Sequence, residues 1–361
     1  MFKRNVTLFI FFLIGIFTVI NVYAQAVYWK DGTWQTLSLP RGATDSRTGG
    51  ITVFDNVVYI AGSYDDSQGN IISCYWRNGV INTLNIPSGA SRPSTSGIAV
   101  SGNVIYIAGS YYDAQYNSIA CYWRNGVIQN LSIPRGASNS STNSIAVSGD
   151  VAYIAGEYYD AQGNSIACYW RNGIIQSLNI PSGASNSRTS GITVADDVVY
   201  VAGTYIVGDW NRGTGKAIPC YWQNGVINNL SLPSGAGIWP SGSINSITVV
   251  GDVVYIAGSY NKDAQNMMGD SIPCYWQNGV INNLNLPSGS SSSTAKVITV
   301  SGNIIYVAGS DSYGTILCYW RNGVVQNLNR PVSFQGKRVF ITGIAVSGNS
   351  IYITANFVMS Q

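Results

Sequence analysis

One short stretch returns seven times and governs what this chain can fold into. In its fullest form it reads Cys121-Tyr122-Trp123-Arg124-Asn125-Gly126-Val127-Ile128. Its Trp recurs at Trp29, Trp76, Trp123, Trp170, Trp222, Trp276 and Trp320, at intervals of 47, 47, 47, 52, 54 and 44 residues. A fixed period of this size marks a propeller, a solenoid or an array of stacked units.

The third repeat shows what one unit contains. Ser144-Ile145-Ala146-Val147 reads as a short strand and Ser148-Gly149-Asp150 as a turn. A second strand follows from Val151 to Gly156, then a polar loop from Tyr159 to Asn164. Ser165 to Arg171 is a third strand, Asn172-Gly173 a two-residue hairpin turn, and Ile174 to Ile180 a fourth strand. Asn-Gly accepts the positive φ angles of a type I′ turn. Four short antiparallel strands joined in this way make one propeller blade. In six repeats Ala-Gly follows the second-strand Tyr, as at Ala61-Gly62, where small residues are expected to let sheets approach near the axis. The last repeat has Thr354-Ala355 instead, so that blade is expected to pack differently.

The two ends of the chain complement each other. Ala26 to Leu39 supplies only a third and a fourth strand, and Ile341 to Phe357 only a first and a second. Together they complete a seventh blade and remove the free edges at the seam. The expectation is an all-β, seven-bladed β-propeller with four antiparallel strands per blade, closed by N- and C-terminal strands sharing one blade. Length alone would admit two domains; the closing of the ring makes residues 25–361 a single one.

The N-terminus has a separate logic. Lys3 and Arg4 precede an apolar run from Val6 to Ile20, and Val22-Tyr23-Ala24 places small residues where signal peptidase cuts. Residues 1–24 therefore read as a signal peptide. The mature chain, starting at Gln25, is expected to be exported to the periplasm, the cell surface or the medium, without a transmembrane segment and as a monomer. Cys74, Cys121, Cys168, Cys220, Cys274 and Cys318 occupy one position in six repeats, and Val27 fills it in the seventh. Equivalent strands of packed sheets lie about 10 Å apart, too far for a disulfide. Six buried free thiols are expected, and no metal held by them.

Charge and composition narrow the function. The net charge is +3 with 10% charged residues, which disfavours nucleic acid as a partner. The chain has no His, so the commonest general base and zinc ligand are both missing. Asp65, Asp66, Asp113, Asp160, Asp209, Asp263, Asp270 and Asp311 lie in loops, where Asp commonly bonds its own backbone. No cofactor, metal site or catalytic set is expected. The repeated Trp are expected in the core between blades. Arg77, Arg124, Arg171 and Arg321, with Lys30, Gln223 and Gln277 at the same place, form a solvated rim.

In a repeat protein the irregular insertions map to loops on one face. The fourth repeat expands its loop to Tyr205–Lys216 and is followed by Gly237-Ile238-Trp239-Pro240-Ser241; the fifth has a long loop from Asn261 to Asp270. Trp210 and Trp239 fall outside the scaffold pattern, and Asp209, Asn211 and Arg212 flank the first. Apolar ring faces with polar neighbours suit a sugar platform, although both Trp can equally fold down to plug their loops. These five residues are the candidate ligand site.

The run Trp123 to Leu131 resembles the Trp-x-Asn-Gly-x-x-x-x-Leu core of HAF-type extracellular repeats. The run Ile145 to Gly156 resembles the strand–turn–strand unit of bacterial β-propeller repeat proteins. The chain departs from HAF repeats in its longer period and in carrying Cys-Tyr where they carry the naming His. The resemblance implies an exported bacterial propeller and transfers no catalytic residue. The functional expectation is a non-catalytic binding or interaction module with a glycan or protein partner. The alternatives are a lectin-like carbohydrate-binding protein and a glycan-directed hydrolase or lyase.

Overall fold

The structure, a computed structural model, describes residues 25–208, 215–238, 243–263, 270–331 and 334–358. The signal-type segment 1–24 lies outside them. β1 (Gln25–Lys30) and β2 (Thr33–Thr36) come first. β3 (Ser46–Phe54), β4 (Val57–Asp65), β5 (Ile71–Arg77) and β6 (Val80–Thr83) form an antiparallel sheet in that order, blade one. β7 to β26 repeat the unit five times, from Ser91–Ser101 to Val324–Asn327, as blades two to six. β27 (Arg338–Ser347) and β28 (Ser350–Val358) pair with β1 and β2 in the order β27-β28-β1-β2, blade seven. Innermost strands of successive blades touch, and β27 touches β3, so the ring closes through both ends of the chain. The outermost strand of every blade has only four residues, which leaves little open edge.

The hairpin Asn has two tasks. Asn78, Asn125, Asn172, Asn224, Asn278 and Asn322 have φ of 47–50°, and Asp31 has 45°. Each also accepts the backbone N–H that begins its blade's second strand, as from Val58 to Asn78 at 2.9 Å and from Ile351 to Asp31 at 2.8 Å. The rim residues that follow from this turn are packed, not merely solvated. Arg77, Arg124 and Arg171 lie over Tyr59, Tyr106 and Tyr153, and Lys30 over Tyr352, 5.2–5.9 Å from the ring centres. The six Cys are buried and free, and burial pushes their thiols up.

The first strand is longer than the sequence suggests. In blade three it runs Ser138–Ser148, and the fourth strand stops at Ser177. The polar run Ser138 to Asn143 belongs to the sheet because its ladder is broken by bulges, one between Thr142 and Ser144. A bulge sits at the same place in all seven blades, at Gly49, Ser96, Asn143, Ser190, Asn245, Lys296 and Thr342.

The bulge explains the second-strand Gly, and the explanation corrects the sequence expectation. A Cβ on Gly62, Gly109, Gly156, Gly203, Gly258 or Gly309 would stand 2.0–2.2 Å from the carbonyl oxygen two residues before the bulge of its own blade. In five of these blades it would also meet the edge of that blade's Trp ring at 2.6–3.0 Å. The close approach between blades falls on the first strand instead. There a Cβ on Gly97 or Gly191 would meet Ile145 or Ile247 of the next blade at 3.2 Å.

Six Trp reach back to the preceding blade, five of them with the ring over this Gly. Trp76, Trp123, Trp170, Trp222, Trp276 and Trp320 are fully buried and donate to the carbonyls of Ser38, Asn85, Ser132, Asn179, Ser231 and Asn285 at 2.6–2.8 Å. Blade seven differs, as its Thr354-Ala355 suggests. Ala355 brings a methyl to the place the Trp edge takes elsewhere. Trp34, on the fourth strand opposite Trp29, makes the corresponding bond to the Asn329 carbonyl at 2.5 Å. Trp34 and Phe334 pack on Phe357 at 5.5 and 4.0 Å between ring centres. Gly156→Ala is expected to cost about 1–3 kcal/mol, read as a lower urea midpoint, since the Ser141 carbonyl cannot withdraw without breaking the bulge.

Candidate functional site

The seven bulge positions form a ring around the axis. Six of the seven bulge residues, all but Lys296, line a cavity of about 200 Å³, with Gly50, Gly97, Ser144, Gly191, Ser246, Val297 and Gly343 one step further on. The flanking sequence repeats closely as Thr-x-Gly/Ser-Ile in blades one to four, yet x is Gly, Ser, Asn, Ser, Asn, Lys and Thr around the ring.

A rule of bonding links x to the residue before the bulge in the next blade. Ser96 Oγ meets Thr142 Oγ1 at 2.7 Å, and Asn143 Nδ2 donates to the carbonyl and hydroxyl of Thr189 at 2.8 and 3.1 Å. Asn245 Nδ2 donates to the Ala295 carbonyl at 2.7 Å, and Thr342 Oγ1 meets Thr48 Oγ1 at 2.6 Å. At the seam Asn356 adds bonds to the backbone N–H and carbonyl of Thr48 at 2.7 and 3.1 Å. Gly49 has no side chain, and a Cβ there would stand 2.3 Å from the Thr95 carbonyl.

Of the six members with a side chain, two have no such bond. Blades five and seven carry Ile244 and Ile341, both buried, where the facing residue is otherwise Thr or Ala. Ser190 faces the first, and its hydroxyl is buried without a partner. Lys296 faces the second. Among the described residues Lys296 has no ion pair and no hydrogen-bond acceptor, and burial pushes its ammonium down.

Glu157, the only Glu of the sequence, lies on the other side of the ring. Its carboxylate accepts from Asn143 Nδ2 at 2.9 Å and from Ser141 Oγ at 3.5 Å. Burial pushes this carboxyl above its usual range, against the Asn143 bond and the nearby Arg188. Arg47 and Arg188, two residues before the bulge in blades one and four, are exposed. The sequence reading did not single out Ser190, Asn245 or Lys296. Superposing the repeats on Thr-x-Gly/Ser-Ile would have found Ser190, while Asn245 and Lys296 stand in runs whose first residue is Ile244 and Ala295 instead of Thr.

The candidate residues Asp209, Trp210, Asn211, Arg212 and Trp239 lie outside the described residues. The bases of their segments are described. Val207 pairs with Lys216 at the foot of the blade-four loop. Gly237 pairs with Asn261, and Ala236 and Ile238 pack in a core cluster with Tyr260 and Ile272. These described bases lie on the face on which blades connect to one another. Among the described residues no group of three His, Cys, Asp or Glu is placed to hold a metal, and no helix is long and apolar enough to cross a membrane.

The regular loop carboxylates are occupied by their own turns. Asp66, Asp113 and Asp160 each accept two backbone N–H groups and the amide of Asn70, Asn117 or Asn164, all at 2.8–3.0 Å. These bonds, the Asn amide first, hold the three carboxyls below their usual range.

No protein-family model and no curated protein matches the chain, so the likeness to HAF-type repeats rests on the quoted motifs. Solved structures match in fold. The β-propeller domain of the Trilobed protease from Pyrococcus furiosus is 10% identical, over 88% of this chain and 91% of that one, with a TM-score of 0.51. Polysaccharide lyase Uly1 is 12% identical over 92% and 98%, with a TM-score of 0.48. AofleA from Arthrobotrys oligospora is 12% identical over 92% and 92%, with a TM-score of 0.42. Identities this low concern the fold alone.

A carboxyl lowered in the folded state adds stability above the unfolded value of about 4, and that contribution is lost as pH falls through the lowered folded value. Asp113→Ala is therefore expected to speed amide exchange at Gln115 and Asn117 at neutral pH. The difference from wild type should vanish once pH has fallen below the lowered folded value of Asp113.

Proposed function

We propose that this chain is an exported, non-catalytic binding module that takes its ligand on the face where the blades connect, at the mouth of the central channel. The observation that carries this reading is the contrast within the innermost strand. In blades one to four its flanking positions repeat as Thr-x-Gly/Ser-Ile, while the residue at the bulge changes from blade to blade and lines the cavity in six of the seven. Variation on a cavity wall is what a ligand site on a symmetric scaffold requires.

Two further observations support it. The described bases of the irregular segments of blades four and five lie on the face where the blades connect, and the proposal adds Trp210 and Trp239 to the site as a sugar-stacking platform. The loop carboxylates Asp66, Asp113 and Asp160 are spent on their own turns, and Glu157 is influenced by Arg188 but by no second carboxylate. A glycosidase needs a facing pair, so binding is favoured over glycan cleavage. The signal-type N-terminus supports export, where glycans and cell-surface proteins are the available partners.

A glycan array and a cell-wall pull-down, run with the wild type and with Trp210→Ala/Trp239→Ala, test the reading. A glycan ligand retained by the wild type and weakened at least tenfold in the double variant is expected. Equal binding by both proteins would remove the two Trp from the site. No ligand for either in both screens would contradict the glycan reading.

A further inference from the structure

The wall of the central cavity carries no charge. Its lining residues are Gly, Ser, Asn, Thr, Ile and Val. Glu157, which bonds to Asn143, and Lys296, next to Val297 in the chain, both stay out of it. A charged group entering there meets no counter-charge in the wall, and an unpaired buried charge costs several kcal/mol. The wall is polar all the same, and its polarity has a direction.

Asn143 and Asn245 set that direction. The amide nitrogen of each donates to a backbone carbonyl of the next blade, that of Thr189 at 2.8 Å and that of Ala295 at 2.7 Å. A carbonyl only accepts, so these bonds fix which end of each amide is the nitrogen. Asn143 Nδ2 also donates to the Glu157 carboxylate at 2.9 Å, and Asn245 Nδ2 to Ser243 Oγ at 2.8 Å. The nitrogens are thus used by the scaffold and the oxygens are left over. Among the described residues no donor reaches Asn143 Oδ1 or Asn245 Oδ1.

Blade four stands between these two acceptors and carries Ser190, whose hydroxyl is buried without a partner. A buried polar group left unpaired calls for an explanation, and a bound molecule is one. Ser246, one step beyond Asn245, accepts only the Ile298 N–H, at 3.4 Å. Three consecutive blades therefore present an acceptor, a hydroxyl and an acceptor to one cavity. At roughly 30 Å³ per water, the cavity of about 200 Å³ has room for about six or seven waters. It lies below the roughly 300–1,000 Å³ of drug-sized pockets. It admits one small ring, not an extended chain.

Resting on the reading of the channel mouth as the ligand site, we infer that this cavity takes one neutral sugar unit, either a free sugar or the end of a glycan chain. Two of its hydroxyls donate to Asn143 Oδ1 and Asn245 Oδ1, and a third accepts from Ser190. Only a hydroxyl serves both kinds of partner without charge. An oxyanion would face two fixed acceptors, and an ammonium would find no carboxylate in the wall.

Calorimetric titration of the purified protein with glucose, galactose, mannose and N-acetylglucosamine tests this, with glucuronate and glucosamine as charged rings of similar size. The wild type should bind at least one neutral sugar, with an affinity that added salt does not change, and the charged rings at least tenfold more weakly. Ser190→Ala should weaken the sugar at least fivefold with no fall in melting temperature, since the fold loses no bond. Ser190→Gly, which copies blade one, replaces it if the Ala variant does not fold. A disaccharide ending in the bound sugar and held at least as tightly identifies a chain end as the ligand; its exclusion identifies the free sugar. Affinity unchanged in the Ser190 variant, preference for a charged ring, or no neutral sugar bound overturns the inference. A glycan lost in Trp210→Ala/Trp239→Ala but kept in Ser190→Ala would remove the cavity and leave the binding module standing.

Discussion

Each innermost strand carries one residue more than its neighbour can pair with, and much of the ring follows from where that residue goes. In six blades the bulge pushes the carbonyl two residues earlier to within 2.0–2.2 Å of where a Cβ would stand at the facing second-strand position, and that position is Gly in all six. The bare Gly receives the edge of the blade's Trp, and the Trp so placed reaches a carbonyl of the preceding blade. The extra residue itself bonds to the following blade in four of the seven blades, at Ser96, Asn143, Asn245 and Thr342. One local irregularity therefore sets both interfaces of a blade. Blade seven shows the dependence from the other side. With Ala355 in place of Gly, Trp29 does not make the clasp, and Trp34 makes it from the neighbouring strand.

Much of this was legible in the sequence. The seven Trp, the Asn-Gly turns and the complementary halves at the ends define a seven-bladed ring, because a hairpin turn and a fixed period leave few other topologies. The Cys were readable as free thiols because one position in six sheets cannot bring two sulfurs together. Asp113 and Asp160 were readable as turn residues from the Asn four places on. The bulge was not legible. Ser138 to Asn143 looks like a connection, since polar residues in a strand make sense only once the neighbouring blade supplies their partners. The role of Gly156 was assigned to the wrong interface for the same reason. The takeover by Trp34 needed the strand register, which pairs it with Trp29.

The site divides along a similar line. Trp210 and Trp239 stand out because they break the repeat, but their segments lie outside the described residues. Ser190 conforms to the repeat, in Thr189-Ser190-Gly191-Ile192, and escapes notice in one dimension. It differs from Ser96 only in what faces it, Ile244 instead of a Thr hydroxyl. A scaffold position is one whose bonding capacity is spent on another blade, as Asn245 spends its amide nitrogen on the Ala295 carbonyl. By that measure Ser190 is the bulge residue in the cavity wall whose hydroxyl the fold does not use.

The central claim is that one bulge sets both interfaces of its blade, and amide exchange in Gly109→Ala addresses it most directly. A Cβ there would stand 2.1 Å from the Ser94 carbonyl and 2.7 Å from the Trp123 ring, in the blade whose Trp123 reaches Asn85 and whose Ser96 reaches Thr142. The account predicts faster exchange in the innermost strands of both neighbours, blades one and three. Faster exchange confined to blade two would contradict it.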